Sequence, residues 1–107
     1  MAISLEGWDI ARFGDVEWSP WGSGDLARAK VLASADGFFL ALVDAKPGYI
    51  GDDHVHDHPE FLYVLSGSLR NQGRVMHAGD AYAAAPGSSH TDFATPDGAT
   101  YLSVFKV

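Results

Sequence analysis

Cysteine is absent from the 107 residues. That removes disulfides, cysteine zinc knuckles and thiol nucleophiles, and leaves histidine and carboxylate as the strong metal ligands available. Positive charge is also scarce: seven Lys and Arg stand against fourteen Asp and Glu, a formal charge of −7 with the basic residues scattered along the chain. Such a surface repels phosphate backbones, so no nucleic acid partner is expected. No run reaches the length of a membrane span, and the start Met-Ala-Ile-Ser-Leu-Glu lacks the basic and apolar stretches of a signal peptide. A cytoplasmic protein without membrane contact is the expectation. Helical periodicity is missing too, since nowhere does it persist over three turns.

What the chain does have is short apolar or alternating runs between turn residues. Apolar residues at 47% and aromatics at 12% suffice for one core, while 12 Gly and 5 Pro indicate many turns. No segment has linker composition, so residues 1–107 read as a single domain. The pattern predicts strands over Arg28–Ala33, Phe38–Ala45, Phe61–Leu65, Arg74–His77, Ala81–Ala85, Thr91–Ala94 and Thr100–Val107. Each is bounded by a turn signal such as Asp36-Gly37, Pro47-Gly48, Ser66-Gly67 or Asp97-Gly98. The fold class is all-β, a sandwich or small barrel. The first twenty residues are less patterned, but Trp8, Phe13, Trp18 and the following Trp21 fit a segment that caps one end of the barrel or lies in a subunit interface. A homodimer is expected.

Four of the five histidines fall in His54-Val55-His56-Asp57-His58-Pro59-Glu60 and Ser88-Ser89-His90. Alternate residues of a strand share a face, so His54 and His56 point into the barrel together, and Glu60 re-enters on that side after the Pro59 break. His90, from another strand, completes a nitrogen-rich set with one anionic oxygen. Such a set suits one divalent transition metal per chain, Fe, Zn, Mn or Ni among the candidates, rather than Ca or Mg. Strand parity also places Leu62 and Val64 on the cavity floor beside Glu60, and Asp92 on the face of His90, where it would orient a ligand imidazole or a substrate hydroxyl. The same parity turns Phe61 and Tyr63 to packing roles on the opposite face. His58, before the proline, is read as a loop group outside the ligand set, and His77 as a solvated surface residue.

The spacing Gly48-(five)-His54-Val55-His56-(three)-Glu60-(six)-Gly67 resembles the first cupin motif at every interval, and Gly79…Pro86-Gly87-Ser88-Ser89-His90 resembles the second. In the second motif proline sits one place late and the usual terminal Asn is Ala94. Within the RmlC-like cupin superfamily, the run from Pro47 to Asp97-Gly98 is most similar to the ChrR-type cupin domain of zinc-binding anti-sigma factors and to free-standing small metal-binding cupins. The resemblance implies a double-stranded β-helix, the jelly-roll barrel, with His54, His56, Glu60 and His90 as metal ligands. It also implies two activities. One is a metal-dependent dioxygenase acting on a small carbonyl-type substrate, by analogy with small ketone-cleaving cupins. The other is a non-catalytic zinc-binding sensor. In either case the partner is a small-molecule ligand or substrate.

Overall fold

The computed structural model describes residues 3–107. Among them lie thirteen strands: β1 Ile3–Leu5, β2 Trp8–Ile10, β3 Ser19–Pro20, β4 Ala27–Ala35, β5 Phe38–Ala45, β6 Tyr49–Ile50, β7 His54–Val55, β8 Glu60–Asn71, β9 Arg74–His77, β10 Ala81–Ala84, β11 Ser89–His90, β12 Phe93–Thr95 and β13 Ala99–Lys106. One 3₁₀ turn, Phe13–Asp15, precedes β3. None of the helical structure described is long and apolar enough to cross a membrane.

The long strand β8 organises the molecule. Its first half pairs with β10 on one side, Tyr82 opposite Leu62, and with β13 on the other, Ser103 opposite Leu62. Its second half pairs instead with β9, Leu69 opposite Met76, and with β12, Ala94 opposite Arg70. The sheet order β3-β4-β5-β13-β8-β12-β6 therefore curls over itself, with one strand serving both layers, which is the jelly-roll arrangement. The turn expected at Ser66-Gly67 is a correction here. The chain bends at that point but keeps its strand, and reverses only at Gln72-Gly73, both with positive φ (52° and 78°), as a two-residue hairpin requires. β5 and β9 have the bounds the sequence suggests. The two-residue strands β6, β7 and β11 are too short to show a periodicity.

Inward positions are small on β4 and β5, where Ala27, Ala29, Ala41, Val43 and Ala45 are buried. The rings of Tyr49 and Phe93, from the other layer, and of Tyr101, from the neighbouring strand β13, are buried in the same core cluster. Phe93 meets both tyrosines edge-on, at centroid separations of 6.4 and 5.7 Å. Phe61 and Tyr63 do lie on the opposite face of β8, but on the outside, where they are about half exposed. The N-terminal segment is strapped along β4. Lys30 donates from Nζ to the Phe13 carbonyl (2.8 Å) and its ammonium sits 3.8 Å from the Phe13 ring centre, while the Arg28 guanidinium covers Trp18 at 4.0 Å. Past this strap the chain turns Trp21 inward against Phe105.

Candidate metal centre and its cavity

Strand pairing brings the two histidine segments together. β7 and β11 form a separate two-stranded sheet in which His90 stands opposite His54. His56 follows just after β7, and its backbone N–H donates to the Ser88 carbonyl at 2.8 Å. The outcome is three imidazoles whose ligand nitrogens all lie within 4.8 Å of one another, His54 exposed at the mouth and His56 and His90 buried. Glu60, at the start of β8, places Oε2 at 3.0 Å from His56 Nε2 and 2.8 Å from His90 Nε2.

The outer nitrogens decide how these rings are protonated. His54 Nδ1 faces the Asp52 carbonyl at 2.9 Å and His90 Nδ1 faces Asn71 Oδ1 at 3.0 Å; both partners only accept. His56 Nδ1 faces Ser88 Oγ at 3.0 Å, and that hydroxyl already donates to the Ala85 carbonyl at 2.6 Å, so toward the histidine it accepts as well. Each ring is thus held as the Nδ1–H tautomer with its Nε2 lone pair inward, the arrangement that metal-binding histidines use. Two such lone pairs within 3.0 Å of a carboxylate oxygen repel unless a positive centre sits among them, a proton or a cation. The donor set fits a metal ion on this ground. Where protons rather than a cation fill that role, burial pushes the Glu60 carboxyl up, but the hydrogen bonds and charge of His90, then of His56, outweigh burial and hold it below the usual carboxylate range.

Removing the Asn71 acceptor is expected to weaken metal affinity about 10- to 100-fold, the usual cost of losing such an outer partner. Competition with a chromophoric chelator would read the effect in Asn71→Ala. Asn71→Asp keeps an acceptor and should retain near-native affinity; equal losses in the two variants would show that the contact does not orient the ring.

The centre opens onto a cavity of about 240 Å³. Its walls are Trp21, Tyr49, Leu62, Phe93 and Tyr101, with Asp52, Tyr82 and Ser103 as polar groups besides His54, His90 and Glu60, and no Lys or Arg among the lining residues. Tyr82 reaches toward the centre, its hydroxyl 3.3 Å from His90 Nε2 and 3.5 Å from Glu60 Oε2. Burial, then the Glu60 charge, raises its pKa, so it is a neutral donor.

The structure brings His54, His56 and His90 together, sets Glu60 against His56 and His90, and places Leu62 in the cavity wall. Val64 and Asp92 are placed otherwise. Val64 is fully buried in the core and is not among the lining residues; at its level across the sheet the ring of Tyr101 is the group that lines the cavity. Asp92 points away: a bend at Thr91 separates β11 from β12, so the alternation counted from His90 breaks and Phe93 takes the inward place. The Asp92 carboxylate instead accepts from Arg70 Nε at 3.0 Å and from the Gly73 N–H at 2.9 Å. The residue that orients His90 is Asn71. His58 lines a second depression that shares His54 and Glu60 with the cavity and adds His56 and Lys106, and His77 is exposed at the end of β9. Tyr82 escaped the sequence reading although strand parity on β10, Tyr82 and Ala84 inward and Ala81 and Ala83 outward, carried the signal.

A jelly roll with three convergent imidazoles is the cupin arrangement, and residues 8–106 match the ChrR cupin-like domain; the chain belongs to that family. It is 29% identical over 94 residues to the pectin degradation protein KdgF of Dickeya dadantii (strain 3937), covering 82% of this chain and 86% of that protein. Among solved structures it is similar to the Rhodobacter sphaeroides complex of SigE with the anti-sigma ChrR, at 25% identity and a TM-score of 0.72, spanning 89% of this chain and 52% of that one. The fold is also that of an acetylacetone dioxygenase from Acinetobacter johnsonii, at a TM-score of 0.77 and 15% identity, over 97% of this chain and 76% of that one.

Proposed function

We propose that the chain is a metal-dependent dioxygenase acting on a small, uncharged carbonyl compound. The observation that carries this reading is the cavity itself: of three convergent imidazoles two, His54 and His90, line an aromatic pocket that offers a ligand no Lys or Arg. A substrate carboxylate or phosphate held away from the centre would need such a cation. That weighs against an acidic sugar, the kind of substrate suggested by likeness to a pectin degradation protein, and toward a diketone or hydroxyketone, as likeness to an acetylacetone dioxygenase suggests. The volume of about 240 Å³ suits a compound of roughly 7 to 12 heavy atoms.

His54, His56 and His90 would hold the metal, with Glu60 as the fourth, anionic ligand. A redox-active ion such as Fe(II) there would supply the charge that favours an enolate and the electron transfer to dioxygen. Glu60 lowers the net charge of the centre, Tyr82 points its O–H to where a substrate oxygen would lie, and the aromatic walls keep water out. In the overall reaction one carbon–carbon bond breaks and both atoms of O₂ enter the two products, so no external reductant is needed.

The test is anaerobic loading with Fe(II), then oxygen uptake against a panel of diketones and hydroxyketones. One O₂ consumed per substrate cleaved, lost in His54→Ala, is the expected result. Tightly retained zinc with no oxygen uptake would sink the oxygenase reading and favour the second one, a zinc-binding sensor, which family membership with the ChrR cupin-like domain supports.

A further inference from the structure

Ser103 is the one described residue whose buried side-chain polar atom has no hydrogen-bond partner. It is 1% exposed on β13 and lines the cavity. A buried hydroxyl left unpaired costs stability, and a chain tolerates that chiefly where the group has a partner in another state. Its two neighbours across the sheet are apolar: Ser103 stands opposite Leu62 on β8 and Ala41 on β5. An alanine there would leave no buried hydroxyl unpaired. The position also bears on reach, since Leu62 is two residues along the inward face from Glu60 and two strand residues span about 7 Å.

From this we infer that Ser103 is a specificity-determining residue, its hydroxyl anchoring an oxygen of the substrate that lies one strand step deeper than the oxygen facing the histidines. The substrate is then a carbonyl compound with a further oxygen function beyond the pair at the metal end, and a plain diketone leaves Ser103 unsatisfied. The inference rests on the carbonyl-substrate reading of this cavity but not on turnover. Ser103 meets the distal oxygen as donor, while Tyr82 serves the proximal end beside His90 and Glu60.

Two probes that differ only at the distal oxygen test this, heptane-2,4-dione and heptane-2,4,6-trione, titrated without oxygen into Co(II)-loaded protein and followed in the visible spectrum. The native protein should bind the trione more tightly than the dione. In Ser103→Ala the trione should weaken roughly three- to tenfold, the loss of one hydrogen bond, with the dione unchanged. The melting temperature of metal-free Ser103→Ala should be unchanged or a few degrees higher, because the substitution removes an unpaired polar group. A fall in melting temperature would show that the hydroxyl supports the fold and would overturn the inference, as would equal trione affinities in the two proteins, or no trione binding to the native one. Absent oxygen uptake with Ser103-dependent trione binding would sink the oxygenase reading alone.

Discussion

Metal retention is expected to fall by more than about a hundredfold in His90→Ala. A four-ligand zinc site is worth about 10–16 kcal/mol, so one ligand's share is roughly 3 kcal/mol, a factor above 100. His90 is the most connected group of the centre. Its Nε2 lies 2.8 Å from Glu60 and 3.3 Å from Tyr82, its Nδ1 lies 3.0 Å from Asn71, and its ring packs edge-on to Phe93 at 5.6 Å. Truncation deletes the ligand, orphans the Asn71 acceptor and opens space beside Phe93. Elemental analysis after dialysis against a weak chelator should find close to one metal per native chain and close to none in the variant. Added metal should raise the melting temperature of the native protein only. His77→Ala, at an exposed site outside the cluster, should behave as native. Native-level retention in His90→Ala would place the metal elsewhere.

The second large effect is on the fold. Gly67 sits where β8 passes from one layer to the other, at φ +75°, and a Cβ there would overlap the Gly98 carbonyl and come within 2.9 Å of Ala99 Cα. Neither neighbour can yield. Ala99 is in register with Gly67 on one side and with Ala45 on the other, and the Gly98 carbonyl accepts the Ser68 N–H at 3.2 Å. Left-handed strain costs about 1–3 kcal/mol, and overpacking against fixed atoms adds about 1–3 kcal/mol. Gly67→Ala should therefore lose about 4 kcal/mol, a drop in melting temperature of about 15 °C or more for a domain of this size. Gly73→Ala is the control: its φ of +78° is similar but nothing lies within 4 Å of the added carbon. It should lose only about 1 kcal/mol. Equal losses in urea unfolding would mean that the corner is not closely packed.

These two sites also show what could be read from the chain alone. The ligands were legible because the centre is built from local alternation, His-Val-His, with a carboxylate and a third imidazole at motif spacing. Parity states which face a residue occupies. It does not state how deep the residue lies, which is why Leu62 and Val64 look equivalent in sequence while only Leu62 reaches the cavity. Parity also fails silently at a bend, as between His90 and Asp92. Asn71, 19 residues from His90, was beyond any local pattern, and so was Trp21, carried into the wall by a segment whose own sequence shows no period. Gly67 was visible as a motif glycine, but reading it as a turn missed that one continuous strand crosses from layer to layer.

The pairing of β7 with β11 has a consequence for how the ion comes and goes. Each of these strands is two residues long and they hydrogen-bond only to each other within the sheets, so little apolar burial holds them shut beyond the contacts of the histidines themselves. Opening this flap would expose His56 and His90 while the main sheet stays intact, making exchange of the ion a local event, far cheaper than global unfolding. Amides of His54 to His56 and Ser88 to His90 should then exchange with solvent early in the metal-free protein and late in the loaded one. The ion would act as the clasp of a flap rather than as a rivet through the barrel.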